Sequence, residues 1–551
     1  MRGFYHFKIC VPGARFRHLP CRSLPAACCR LALFAMLAMV FPAAADTDGP
    51  RFPIRKYEVE GSSYFTRQQL EASVAPYTGE QASFESIESA VEALRRLYDT
   101  HGMQAVRVSI PKQQIENGVV RLQIIEARLG KILIQGNQHF GNDNILRSLP
   151  SLKTGGLPNI QALGDNLRLA NESFARQSQV TFRQGDDPTN VDAVVNVADA
   201  DPRRAAIVLD NTGDETTGDW RLGFAFLHAN LFDRDHTLAM QFVTSPGHWE
   251  DVKIFGMSYR IPFYETGDAL EFTASHSTVD SGQVNTTSGS YGISGGGDSF
   301  GARYIMLLPR LSGWDQRLSF GADYRKYNND ITFSGASDQS LVPDVETHPL
   351  NLTYSGFYRQ PEQEWSLSLG WHHNVPGGED GDQDAIDRSR LGADADYDIV
   401  RYALQYSHNF GSGWQARASL DGQWTRDALI SAEQFGLGGV YSVRGFHERA
   451  LANDYGQRGS LELQTPDLGR YLKAGNLKLN LLGFYDTADA CRNDALPGED
   501  DRNHLSSAGL GVRGSFGQHF HLRMDVARVL DGGGIEGDGD VRAHLNLFLL
   551  F

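Results

Sequence analysis

Two textures of apolar and polar positions divide the chain. Between residues 83 and 99, Ile87, Val91, Leu94 and Tyr98 recur three and four residues apart, the stripe of one helix face. Upstream, Thr66 with Gln69 makes a capping-box pattern ahead of Leu70 and Val74, which predicts a shorter helix. Runs at 57–60, 105–110 and 119–125 are strand-like, the last two split by a Glu116-Asn117-Gly118 turn. The order over 53–128 is therefore β-α-α-β-β. It recurs over 129–202: a strand at 131–135, helices at 144–149 and 159–174, then strands around Val180 and across 191–197. Two small α+β domains of one plan stand in tandem.

From about residue 203 to 551 the period changes to two. Leu522, Met524 and Val526 alternate with His521, Arg523 and Asp525. The last run sets Val541, Ala543, Leu545, Leu547, Leu549 and Phe551 against Arg542, His544 and Asn546. Apolar-out, polar-in alternation over about ten residues is the pattern of a transmembrane barrel strand. A soluble antiparallel sheet also alternates. Here the charged side chains share their face with Asn and His, and the final strand ends on an aromatic residue. The length allows 14 to 18 strands of about 9–11 residues each with its share of loop.

The N-terminus favours the membrane reading. Residues 1–45 carry Arg2, Lys8, Arg15, Arg17, Arg22 and Arg30 with no acidic residue, then an apolar stretch at 31–41, then Ala43-Ala44-Ala45. That order predicts a cleaved signal peptide over 1–45, followed by a short segment at 46–52. Its removal leaves 45 basic against 67 acidic residues, a net charge of −22, and Cys491 as the one cysteine of five. No intrachain disulfide is then possible, and the acidic balance argues against a nucleic-acid partner. Beyond the signal no run of 18 apolar residues occurs, so an exported chain of this kind enters lipid only by closing a barrel.

Several motifs carry a resemblance. The run Val106-Arg107-Val108-Ser109-Ile110-Pro111-Lys112-Gln113 with Gly118 and Ile124-Ile125-Glu126 is similar to a first POTRA domain. Leu209-Asp210-Asn211-Thr212-Gly213 with Thr217-Gly218 is similar to a first barrel strand. Phe435-Gly436-Leu437-Gly438-Gly439 leads into Ser442-Val443-Arg444-Gly445-Phe446. Together these make the chain resemble the outer-membrane transporters of two-partner secretion (haemolysin secretion/activation type) in the Omp85 superfamily. The resemblance implies two periplasmic POTRA-like domains and an antiparallel outer-membrane β-barrel of about 16 strands. It also implies a sixth extracellular loop folded into the lumen, with Val443, Arg444, Gly445 and Phe446 at its tip. The tip's partner is then Asp486 in Phe484-Tyr485-Asp486, the two acting as a latch on the pore, and Phe551 is the C-terminal barrel signature. Strand parity agrees, since Lys478, Asn480, Leu482, Phe484 and Asp486 lie opposite the leucines of 477–486, toward the lumen. On residues alone, Arg444 and Asp486 are equally readable as two solvated side chains.

The activity implied is that of a translocase, not an enzyme. It binds a large exoprotein (haemolysin, adhesin or toxin) in the periplasm and secretes it unfolded to the cell surface. Outer-membrane lipid and the barrel-assembly machinery are the other partners expected, the chain being a monomer with no cofactor or metal. A barrel-assembly insertase and a passive diffusion channel are the rival readings. Two departures from the family pattern stand out. About seven residues separate Asp46 from the first domain, too few for the plug helix many members carry, so closure is expected to rest on the loop. Ala127 and Ala488 stand where glycine is common.

Other motifs fall short of their chemistry. Gly292-Ile293-Ser294-Gly295-Gly296 fits a nucleophile elbow but lies in a Ser/Gly-rich stretch between strands. Asp380, Asp382 and Asp384 begin like a calcium loop, yet Ala385 and Leu391 occupy its glycine and glutamate positions, so a solvated acidic loop is expected. His372 and His373 are adjacent in a strand-like run and face opposite ways. Gly130-Lys131 continues into Ile132, which is no phosphate loop.

Overall fold

The computed structural model describes residues 50–551 apart from 188, 215, 280–281, 287–288, 294–295, 329–342 and 473–474. The predicted signal and part of the Gly292–Gly296 motif lie outside the described residues.

In the first small unit, helices Arg67–Val74 and Phe84–Asp99 cover one face of a three-stranded sheet. Strand Lys56–Glu60 runs parallel to Val119–Glu126, which pairs antiparallel with Val106–Ser109. Tyr57, Leu70, Leu94, Tyr98, Leu122 and Ile124 form the core between the layers. The Thr66–Gln69 capping box is present, and Ile87, Val91, Leu94 and Tyr98 are all buried. A second small sheet pairs Phe52–Ile54 with Gly79–Ala82; strands this short show no periodicity to read.

The second unit repeats the topology with strands Arg128–Gln135, Asn190–Asp199 and Arg176–Gln184 and helices Asn142–Arg147 and Ile160–Ala170. The second helix stops four residues short of the expected 174. The Asn171 side chain bonds the Ser178 backbone through both its amide nitrogen (2.9 Å) and its oxygen (2.7 Å), and so turns the chain. Phe174, which extends the apolar stripe, instead lies under the Arg204 guanidinium, 3.9 Å from its ring centre.

Sixteen antiparallel strands close the barrel, from Arg203–Asp210 to Val541–Leu550, with Val345–Thr347 and Pro349–Arg359 counted as one interrupted strand. Leu461, Leu463, Leu481, Leu510, Met524 and Val526 project outward, and their neighbours in sequence line the lumen. The closing seam pairs only five residues of each strand, Asn546–Leu550 with Ala206–Asp210. Asn211 extends it: its amide donates to the Ala543 carbonyl (2.8 Å) and accepts from the Leu545 N–H (2.7 Å). Phe551 extends it at the other end through backbone bonds to Ala205.

The segment after Asp380 is not the solvated loop expected. Asp382 caps helix Gln383–Ser389 by accepting from the Ala385 N–H (2.8 Å), and Ile386 packs against Val345, Ala393, Ala395 and Ile430. A two-residue apolar core was too short to register as a helix stripe.

Two joints fix the small units. Between them, the Ile160 N–H donates to the Gly102 carbonyl (2.8 Å) and Arg128 Nη2 donates to the Ser63 hydroxyl (2.7 Å); within the first unit, Glu126 at the end of the sheet accepts from Ser62, Ser63, Tyr64 and Tyr98. Between the second unit and the barrel, Arg176 forms a two-pronged pair with Asp235 (3.1 and 3.0 Å), both buried. Asp235 belongs to the turn between barrel strands Arg221–Leu231 and His236–Thr244, in which Phe232, Asp233 and Asp235 all have positive φ. Asn144 and the Tyr264 hydroxyl donate to the same carboxylate. A strained turn persists where its surroundings over-determine it, and here the second unit supplies those surroundings.

Replacing Arg176 by Ala is expected to uncouple the second unit, leaving Asp235 buried and unpaired. Hydrogen exchange in the full chain should then speed up at residues 142–184 and not in the barrel. For Glu126, burial pushes the carboxyl up, but bonds from Ser63, Tyr98 and the Ser63 and Tyr64 N–H groups outweigh it and hold it below its ordinary value. A depressed carboxylate contributes stability above its unfolded pKa and loses it as pH falls through the folded one. Protection of the 119–126 amides should fall on acidification below the ordinary carboxylate range, and Glu126→Gln should flatten that dependence.

Candidate functional site

Residues 425–454 join strands Gln415–Trp424 and Tyr455–Gln464. Within them Phe435–Leu437 pairs with Leu451–Asn453, a two-stranded stem that carries the tip into the lumen. Gly438 (φ +103°) and Gly439 (φ +95°) turn the chain at the end of the stem. A Cβ at Gly438 would fall 2.4 Å from the His447 carbonyl oxygen, so the close backbone approach requires glycine. Val443 and Phe446 are fully buried with Leu437, Ala488, Ala490, Leu505 and Val529. Ala488, one of the two departures from glycine, is part of this contact.

Burial of Val443 and Phe446 sets Arg444 between them against the wall. Its Nε donates to Asp486 Oδ2 (2.7 Å) and its Nη2 to Oδ1 (2.7 Å), the two-pronged geometry that a planar guanidinium offers a carboxylate. The Arg444 backbone N–H adds a third bond to Asp486 Oδ2 (3.2 Å). Nη1 donates to Glu462 (2.7 Å) and Nη2 to Ser460 (3.1 Å). The guanidinium lies 3.5 Å from the centre of the Phe484 ring, a cation–π contact. Both charges are out of solvent, Arg444 at 3% and Asp486 at 0% exposure. Gly445 (φ +100°) turns its N–H onto His544 Nε2 (2.9 Å), which must therefore be unprotonated.

Asp525 lies 3.9 Å from Arg444 and receives Arg513 in a two-pronged pair (2.8 and 3.0 Å) and the Nε of Arg523 (3.0 Å). Three guanidiniums, from Arg444, Arg513 and Arg523, thus meet three carboxylates, from Asp486, Glu462 and Asp525. Each buried charge in this cluster has an opposite neighbour, so removing any one of them leaves another uncompensated. Gly509 and Gly511 give it room, since a Cβ at Gly509 would fall 2.4 Å from the Phe484 ring and one at Gly511 2.1 Å from Asp525 Oδ1.

All six loop and strand residues expected at the latch come together here: Val443, Arg444, Gly445, Phe446, Phe484 and Asp486. Phe551 lies elsewhere, exposed at the periplasmic rim. Sequence reasoning missed Ser460, Glu462, Asp525 and His544, and also Arg513, which stands in a second Val-Arg-Gly at Val512-Arg513-Gly514 and pairs with Asp525. Parity placed several of them on the lumenal face. The register that sets Ser460 and Ser507 beside Asp486 was not readable from one strand.

Residues 190–514 match the family described as haemolysin secretion/activation protein ShlB/FhaC/HecB, and residues 52–127 match the POTRA domain, ShlB-type. The outer membrane transporter CdiB of Dickeya dadantii (strain 3937) is 23% identical over 445 residues, spanning 78% of this chain and 76% of its own. The heme/hemopexin transporter protein HuxB of Haemophilus influenzae is 19% identical over 515 residues, spanning 88% and 84%. The solved structure of CdiB from Escherichia coli superposes with a TM-score of 0.71 at 16% identity, covering 93% of both chains.

Removing either partner of the central pair leaves a buried charge uncompensated, at a cost of about 3–5 kcal/mol. Arg444→Ala and Asp486→Ala are expected to release the tip while the barrel stays closed. Protease cleavage within 438–450 should appear in both variants, with the folded barrel still resisting detergent at room temperature.

Proposed function

The chain belongs to the haemolysin secretion/activation protein family ShlB/FhaC/HecB, and on that premise we propose that it secretes one partner exoprotein. It is an outer-membrane transporter with its POTRA units in the periplasm. The observation that carries the proposal is the loop tip pinned inside a closed barrel by a non-covalent charge cluster that opens to the lumen.

The client binds first in the periplasm. Among the described residues, strands Val106–Ser109 and Arg176–Gln184 each pair with a strand on one side only, Val119–Glu126 and Asn190–Asp199, and at Ser178 the Asn171 side chain already holds the backbone. An extended client can add to such an edge through main-chain hydrogen bonds, which recognise an unfolded chain whatever its sequence. It then enters the lower lumen, a cavity of about 1100 Å³ whose lining includes Arg317, Arg359, Ser366, Gln405, Arg417 and Ser419. The same lining includes Tyr358, Trp365 and Tyr406, so an unfolded segment there meets charged and amide groups together with aromatic rings. Displacing the Arg444 tip clears the way to the surface, and the latch role of Arg444 and Asp486 is part of this proposal. The drive comes from the client folding outside, with no catalytic step by the transporter. The chain acts as a monomer, since one closed barrel contains the whole conduit, and barrel-assembly machinery inserts it by reading the strand that ends at Phe551.

Deleting the gene should remove one large protein from the surface and medium and leave other outer-membrane barrels unchanged, as read by proteomics of each fraction. A general fall in barrels would identify an assembly factor instead. Arg444→Ala and Asp486→Ala should reduce export at equal surface level, and export at the parent rate by both would end the latch role.

A further inference from the structure

Two cavities occupy the lumen. A cavity of about 1030 Å³ and the lower cavity of about 1100 Å³ share four lining residues: Asp421, Tyr441, Ser442 and Arg458. Two come from the loop and two from the wall, where Arg458 and Asp421 on adjoining strands are paired at 2.8 Å. The two cavities thus meet at Tyr441-Ser442 and that ion pair. Arg444 borders only the lower cavity.

This boundary has its own supports. The Ser442 N–H donates to the Gly439 carbonyl (3.0 Å), and the Ser442 hydroxyl accepts from the Gly438 N–H (3.1 Å). Between them Val440 is held on both sides of its backbone. Its N–H donates to Glu448 (2.7 Å), and its carbonyl accepts from Arg523 Nη2 (3.2 Å). The Arg523 guanidinium also lies 5.7 Å from the centre of the Tyr441 ring and is itself fixed by Asp525. The strand that restrains Tyr441, Phe520–Asp531, is not one of the two that carry Ser460, Glu462 and Asp486 around Arg444.

We infer that Tyr441 and Ser442, closing on the Arg458–Asp421 pair and positioned by Arg523, form a septum that sets the resting permeability of the lumen and is tied through Arg523 and Asp525 to the cluster that holds Arg444. Arg444 holds the loop in; the septum divides the space the loop leaves open. Arg523 is a positioning residue, acting through Val440 and Tyr441. The inference rests on the transporter reading for its purpose but not for its test.

The test is single-channel recording of the purified full-length protein in planar bilayers with potassium chloride, which needs no client. Flow through a lumen is set by its narrowest lining, so Tyr441→Ala and Arg523→Gln are each expected to raise conductance by roughly two- to threefold. Detergent-resistant migration establishes that each variant barrel is folded. In a Cys491→Ala background, Tyr441→Cys should open the lumen in the same way. Coupling a bulky thiol-reactive reagent to it should close the lumen again, and reduction of the adduct should reopen it. Parent conductance in folded Tyr441→Ala and Arg523→Gln, or no response of Tyr441→Cys to the reagent, overturns the septum. If conductance rises while gene deletion removes no exoprotein, the septum stands and the secretion reading falls. If deletion removes the exoprotein while conductance never changes, the septum falls alone.

Discussion

A buried guanidinium must be met on every donor, and that requirement organises the middle of this barrel. Arg444 leaves water only because Asp486, Glu462 and Ser460 accept from it and Phe484 lies beneath it. Those acceptors stand on two neighbouring strands whose register must be correct to a single residue. A slip of one would turn Asp486 toward lipid and Tyr485 toward Arg444. The demand spreads to the next strand, where Gly509 and Gly511 omit side chains so that Phe484 and Asp525 fit. The wall was therefore built around the loop as much as the loop was fitted to the wall.

Much of this was legible from one sequence. Repetition of the β-α-α-β-β order gave both periplasmic units, because helix and strand periods differ sharply and each element is long enough to show its own. Period-two alternation placed Asp486, Asp525 and His544 on the lumenal side. Three things stayed hidden for physical reasons. The pairing of Phe52–Ile54 with Gly79–Ala82 involves strands too short for a pattern. The end of the helix at Ala170 depends on a side chain of Asn171 bonding a backbone seven residues away. The partners of Arg444 beyond Asp486 depend on cross-strand register, which no single strand encodes. Arg513 shows the same limit, since its tripeptide repeats the loop motif while its meaning comes from Asp525 on the facing strand.

The charge clusters divide the labour along the barrel axis. At the periplasmic end, Arg176 with Asp235 fixes the second unit to a strained turn and so holds a sheet edge in a set orientation to the barrel. Toward the outer end, Asp454 accepts from Arg390 and from the Leu429 N–H, and Glu433 accepts from Arg325 and Arg401, all at the base of the same long loop. The tip cluster lies between these two.

That arrangement constrains how the loop can leave. Its base is tied to strands and loops on several sides of the lumen, whereas its tip is tied at Arg444 to one side and at Val440 to another. A segment arriving from the periplasm meets the Arg444 side first, since that residue borders the lower cavity alone. Acidic and amide groups of an unfolded chain can replace the acceptors of Arg444 one at a time, so the charge is never left bare. The large penalty for breaking a buried pair applies to vacating it, and exchange of partners avoids it. A cluster of many moderate bonds suits that exchange better than one covalent tie. In the proposed release the base, out of reach from the lower cavity, stays anchored while the tip yields.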